Sequence, residues 1–340
     1  MRKTLRCLCV IVVATCVATC GGGPNNSSSN APLVIASNPA GTHVYTVAAG
    51  LAKLLQAELG RPTTIRPLQG SSVYLPMLQR GDVPLGLNTS IDGYLSYRGL
   101  PPYSGAMTNL RTLGMIFPLN IMYMVRADSD LYRIEDLRGR RVVVTFRANA
   151  ALEQLHTGIL ATGGLTIDDV NAMTVGGLSE AMEALQSGSA DAVPTGLGTA
   201  LTLQVDSALP DGIRYLTMGQ SEARLAEVMP GTRVITITPE PGDVGIEGPI
   251  RVSSVPDMLN TGTHMSDELA YQITRAIHQN FATLRSELAQ LAGMTADDFA
   301  PADNMHPYHP GAVEYFTEVG LWTESHAANQ ERLLQLAGTP

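Results

Sequence analysis

From residue 33 onward, short apolar runs alternate with amphipathic stretches about a dozen times, and this alternation limits what the chain can become. A strand followed by a helix and then another strand builds a parallel sheet, because only a crossover returns the chain in the same direction. Residues 33–36, 63–67 and 83–88 read as strands, separated by helices over 43–59 and 72–80 that end at Gly60 and Gly81. Residues 110–117 and 121–126 read as two further strands, the second carrying the chain across to another lobe. There the cycle restarts, with strands at 141–146, 172–175, 190–193 and 213–218 and helices at 150–161, 178–186 and 197–205. Strands at 233–238 and 250–255 offer a way back, and helices within 266–291, 310–319 and 324–336 close the chain. The expected division is one lobe from residues 32–120 with about 240–300, a second from 121–239, and C-terminal helices over 301–340 bracing the two.

The first twenty residues differ in kind. Arg2, Lys3 and Arg6 precede an apolar run from Leu8 to Val17 that is too short to span a bilayer, which is the build of an export leader. All four cysteines, Cys7, Cys9, Cys16 and Cys20, fall inside this segment. Residues 21–340 therefore have no thiol for disulfide, metal or nucleophilic chemistry. The run Val17-Ala-Thr-Cys20-Gly21 resembles a bacterial lipobox, so Cys20 is expected to be lipidated and to anchor the exported chain in a membrane; Thr19 is an atypical residue there, and an ordinary secretory leader cut near Cys20 is the alternative. The Gly-, Asn- and Ser-rich stretch over 21–31 reads as a flexible tether. The formal net charge is −9, and −12 once the three basic leader residues are removed, a surface that disfavours nucleic acid.

In open α/β sheets, pockets form beyond the carboxyl ends of strands, where loops enter helices and backbone N–H groups point outward. Three such junctions are small and polar. Ser37-Asn-Pro-Ala-Gly-Thr-His-Val-Tyr45 follows the first strand, Gln69-Gly-Ser-Ser-Val-Tyr74 the second, and Asn88-Thr-Ser-Ile-Asp92 the third. The same residue types are ordinary helix caps, so each junction alone says little.

Together they carry a resemblance. The stretches 40–53, 70–83 and 306–315, with shorter blocks at 125–129, 134–142 and 164–170, resemble the TAXI family of solute receptors of tripartite ATP-independent periplasmic (TRAP) transporters. The blocks keep their order over residues 33–320. The resemblance implies an α/β protein of the type II periplasmic-binding-protein fold: two α/β lobes joined by crossing strands, with a ligand cleft between them. It also implies a periplasmic receptor that captures a small anionic solute, a glutamate-like amino acid or dicarboxylate, and delivers it to a TRAP-type permease, without a cofactor. Carried over by position, the expected ligand contacts are Gly41, Thr42 and Tyr45 in the first junction, Gly70, Ser71 and Ser72 in the second, and Asn88 in the third; His43, near the N-terminus of the first helix, is expected from its own chemistry to add a donor. Many family members place a Gly-Ser-Gly-Thr turn in the second lobe, where this chain has Asn149-Ala-Ala-Leu152. Arg147 is expected to replace the missing hydroxyls by gripping a carboxylate through paired N–H bonds, with Asn149 beside it. Gly196 completes the set.

Other constellations are weaker. Pro307 and Pro310 break the helix on which His306 and His309 would face one ion, so that segment reads as a structural corner and no metal site is expected. Asp168-Asp169 and Asp297-Asp298 read as helix caps. There is no Gly-x-Ser-x-Gly elbow, P-loop or complete dinucleotide fingerprint, and the only lysines are Lys3 and Lys53. An enzyme on this scaffold would need a nucleophile or acid–base pair at the cleft, and none stands out. A receptor serving a sensor or a lipid-trafficking system would look the same at this level.

Overall fold

The structure, a computed structural model, describes residues 31–229 and 231–336; the leader, Cys20 and nearly all of the tether lie outside the described residues. Lobe 1 begins with three strand–helix units: β1 (Leu33–Ser37), α1 (His43–Leu59), β2 (Thr63–Pro67), α2 (Ser71–Arg80), β3 (Leu85–Thr89) and α3 (Ser90–Arg98). β1 lies between β2 and β3 and runs parallel to both. The helix starts are set by their loops: Thr42 Oγ1 accepts from the Tyr45 amide at 3.2 Å, and Thr89 caps α3 in the same way. At the other end of α1, Gly60 takes the left-handed conformation that releases the chain, with φ 62°. Val44, Val47, Ala48, Leu51 and Leu55 bury one face of α1 at helical spacing.

β4 (Leu110–Arg126) then runs from lobe 1 into lobe 2. The second lobe comprises β5 (Arg141–Phe146), α4 (Leu152–Thr162), β6 (Asn171–Val175), α5 (Leu178–Gln186), β7 (Ala192–Gly196), α6 (Ala200–Ala208), β8 (Ile213–Tyr215), α7 (Glu222–Val228) and β9 (Arg233–Ile237). β10 (Ile250–Gly262) returns antiparallel to β4 over almost its whole length, which makes one continuous sheet in the order β2-β1-β3-β10-β4-β7-β5-β6. Where the sequence predicts a break in β4 at residues 118–120, the strand continues. Pro118 sits directly opposite Pro256 of β10, so two residues without an N–H face each other in the ladder. Around this point the sheet is only two strands wide. β3 pairs with β10 from Asp257 onward, β9 pairs with it only as far as Ser254, and β7 joins β4 from Ile121.

The chain closes with α8 (Asp267–Gln279), α9 (Phe281–Glu287), α10 (Pro310–Glu318) and α11 (Glu324–Leu336). α11 bonds to the segment before α10: His326 to the Ala300 carbonyl, Asn329 to those of Ala302 and Asn304, and Gln330 to Tyr308. The contact that reaches towards both lobes is made by that segment. Arg98 of α3 donates to the Met305 carbonyl at 2.9 Å, and Asp303 lies 3.9 Å from Arg233 of β9. His306 and His309 go to separate partners, Asn260 Oδ1 at 2.7 Å and the Met265 carbonyl at 3.1 Å.

Candidate functional site

Two sets of loops bring the lobes into contact on either side of a shared space. On one side, His43 Nε2 donates to the Leu197 carbonyl at 2.6 Å, and the Leu201 amide donates to the Gly41 carbonyl at 3.3 Å. On the other, the Ser71 amide donates to Asn149 Oδ1 at 2.9 Å and the Ala150 amide to Ser72 Oγ at 3.1 Å. Gly70 stands between Ser71 and this contact because nothing larger fits: a Cβ there would lie 2.2 Å from the Ala148 carbonyl oxygen. The two α/β lobes are thus held closed.

Between the contacts lies a cavity of about 70 Å³. Its apolar wall comes from Val44, the crossing-strand residues Leu119 and Ile121, and Phe146, Leu152, Leu178 and Pro194 of lobe 2. Its polar groups are Asn38, Thr42, His43, Asn149, His156, Thr195 and Thr199. A second cavity, of about 100 Å³, lies on the opposite face of the crossing strands, where Met115, Pro118, Pro256 and Met258 meet Met305 of the C-terminal segment. The first takes Asn38, Thr42 and His43 from the first junction and faces the loops of lobe 2, whereas the second takes only Ser90 from a junction.

The residues expected from sequence divide into three groups. Thr42, His43, Asn149 and Gly196 line the cavity. Gly41, Gly70, Ser71 and Ser72 form the contacts that shut it. Tyr45, Asn88 and Arg147 do neither. Arg147 opens a 3-10 turn after β5 with its side chain exposed, while Ala148 and Asn149 are buried, so the guanidinium stands off the cleft. No arginine or lysine is among the residues lining the cavity. Asn88 is buried in a different network, where its Oδ1 accepts from Asn260 at 3.0 Å and Asn260 in turn meets His306. Tyr45 is half-buried, turned off the wall by the helical step from Val44.

Two further buried groups, His156 and Asp257, are not among the residues expected from sequence. His156 is 1% exposed on the buried face of α4, with Leu155 and Ile159 beside it. That spacing was the available signal. Its Nδ1 lies 2.6 Å from the Val144 carbonyl, and its edge packs against Phe146 at 5.5 Å between centroids. Burial pulls its pKa down to about 4, so the ring is neutral near pH 7. Burial also lowers the pKa of His43, against the opposing bond to Leu197. Asp257 of β10 is fully buried, and neither carboxyl oxygen has a partner among the described residues. Burial first, and the nearby Asp92 second, push its pKa well above the usual carboxylate range. Asp92 is raised by burial too, although Ser71, Thr89 and Tyr103 all donate to it.

Among solved structures, the chain resembles a periplasmic transporter at 12% identity, with TM-score 0.54 and 90% of this chain covered against 97% of the other. It also resembles an ancestral arginine-binding protein bound to arginine, at 17% identity and TM-score 0.50 over 77% of this chain and 99% of that one. The alkanesulfonate-binding protein SsuA from Xanthomonas axonopodis pv. citri, bound to MOPS, matches at 19% identity and TM-score 0.48, over 91% and 85%. At these identities the likeness is one of fold. The sequence pattern of the NMT1-like family matches residues 35–320, nearly the whole described chain, and this protein belongs to that family.

Proposed function

We propose that this protein is an extracytoplasmic receptor that closes its two lobes over a small solute and presents the closed form to a membrane transporter. The observation that carries the reading is the pair of cross-lobe contacts, at His43 and at Ser71–Ser72, enclosing one cavity between them. A solute that touches both lobes stabilises the closed state, whereas one that touches a single lobe shifts nothing. The two-strand-wide crossing at Pro118 and Pro256 supplies the place to bend, because few ladder bonds resist rotation there. The fold shared with a periplasmic transporter and an arginine-binding protein supports the same role. Binding rather than catalysis fits the wall: the threonine hydroxyls bond to backbone or to neighbours in their own loops, His43 bonds to the Leu197 carbonyl and the Gln290 amide, and none is paired as a nucleophile with a base.

The resemblance to TAXI receptors names the partner in this proposal, a TRAP-type permease, and the lipobox-like Cys20 names the anchor. A thermal-shift screen of the purified protein against acidic, neutral and basic metabolites tests the receptor role. At least one class should raise the unfolding temperature, by the equivalent of about 2.7 kcal/mol at a hundredfold excess over Kd. A flat response across all three classes refutes it.

A further inference from the structure

The polar groups of the cleft are mostly spent, and what remains unspent defines a ligand. Thr42 Oγ1 donates to the Pro39 carbonyl and accepts from Tyr45. Thr199 Oγ1 is held between the Thr202 amide and hydroxyl. His43 is used at both nitrogens: its Nε2–H goes to Leu197, and its Nδ1 accepts from Gln290 Nε2 at 2.9 Å. Thr195 Oγ1 reaches only the Gly196 carbonyl, at 3.5 Å, and besides it and Asn38 two groups stay open. A backbone carbonyl can only accept, so the 2.6 Å contact with Val144 places the His156 proton on Nδ1 and leaves a lone pair on Nε2. No described residue donates to that nitrogen. Likewise a backbone N–H can only donate, so the Ser71 amide fixes Oδ1 of Asn149 towards itself and frees the Asn149 NH₂. Asn38 adds an amide that can turn either end inward.

From this we infer that the cleft takes an uncharged solute with an apolar body and an amide-like edge, a carbonyl oxygen received by Asn149 Nδ2 and an N–H given to His156 Nε2. This deepens the receptor reading and rests on it. A carboxylate would satisfy Asn149 but would turn lone pairs towards His156, with no cation lining the wall to offset the cost of burying its charge. The neutrality of His156, set by its burial, keeps that nitrogen an acceptor near pH 7. Phe146, Leu119 and Leu178 match the apolar body.

Isosteric pairs test the assignment: isovaleramide against isovalerate and benzamide against benzoate, titrated by calorimetry into the intact protein. Each amide should bind at least about tenfold more tightly than its acid, the worth of one hydrogen bond made rather than opposed. His156→Phe keeps the ring against Phe146 and should erase most of that preference. Should that variant fail to fold, ¹⁵N imidazole spectra of the unaltered protein give the same answer, because the His156 Nε2 resonance should move when an amide is added. Carboxylates binding as well as the amides, or an unmoved Nε2 resonance at saturation, would overturn the inference and leave the receptor intact. Binding of other anions but of neither amide overturns it equally. Failure of every metabolite class in the broader screen removes the receptor, and this inference with it.

Discussion

A methyl group on Gly70 would lie 2.2 Å from the Ala148 carbonyl oxygen and 2.5 Å from the side-chain amide of Asn149, both in the other lobe. The backbone there is extended, with φ 166°, so alanine strains nothing within lobe 1. Gly70→Ala should therefore leave the unligated fold and its unfolding temperature nearly unchanged while propping the lobes apart. Solute affinity should fall by about tenfold or more, since closure must then displace packed backbone, and in saturating solute the radius of gyration by small-angle scattering should exceed that of the unaltered protein. Affinity equal to that of the parent would show that the Gly70–Ala148 contact does not belong to the binding-competent state. Residue types pointed to loops that the structure brings together, since Gly41, Thr42, Gly70 and Ser71 all lie at the lobe contacts or the cavity between them. They could not tell direction: Arg147 and Asn149 sit two apart on one turn, yet one points to solvent and the other into the cleft. Side-chain direction in a 3-10 turn depends on what packs beneath it, which local sequence does not record.

Elements with a strong apolar face were legible to within a residue or two. α1 and β5 have the bounds that their periodicity and terminal residues imply. α3 is not legible in the sequence, because Ser90-Ile-Asp-Gly-Tyr-Leu-Ser-Tyr-Arg98 has no clean apolar stripe and carries a glycine near its centre. The structure explains both oddities. Gly93 leaves room for the His306 imidazole, whose Nδ1 would lie 2.3 Å from a Cβ, and Asp92 accepts from Ser71 Oγ at 2.8 Å and Tyr103 OH at 2.9 Å. α3 is held by tertiary contacts that join α2 to α3, not by local propensity. Asp92→Ala should then cost about 3–5 kcal/mol, because it strands buried hydroxyls around an emptied site, whereas Asp92→Asn, which still accepts, should cost less. Chemical denaturation of the two variants measures this. Equal, small losses for both would mean that the buried carboxyl does not organise the α2–α3 corner.

Across the whole molecule, two sets of buried groups pull stability in opposite directions as pH changes. His156 and His306 are held neutral by burial, with pKa values brought down from 6.5 to about 4 and about 3. Their contribution is present above the unfolded value and is lost as pH falls below about 6.5, reaching about 3 kcal/mol for His156 and about 5 kcal/mol for His306 once both folded values are passed. Burial lowers the pKa of His43 and His309 as well, so they act in the same sense. Asp92 and Asp257 do the reverse. Their pKa values are raised, so the native state keeps protons that the unfolded chain has released above its carboxylate pKa of 3.8. That contribution is complete below the unfolded value and is lost as pH rises through the folded one. As pH falls through their raised folded values towards 3.8, the carboxyls therefore offset part of the acid loss due to the histidines. Asp257→Asn removes an offsetting proton and should steepen the fall in unfolding free energy towards pH 4, by up to about 1.4 kcal/mol per pH unit. His306→Gln, which keeps a donor for Asn260, should make the fall shallower by a similar amount. Urea titrations at half-unit pH steps would resolve slopes of this size, and parallel curves for all three proteins would show that these buried groups share their protonation between the folded and unfolded states.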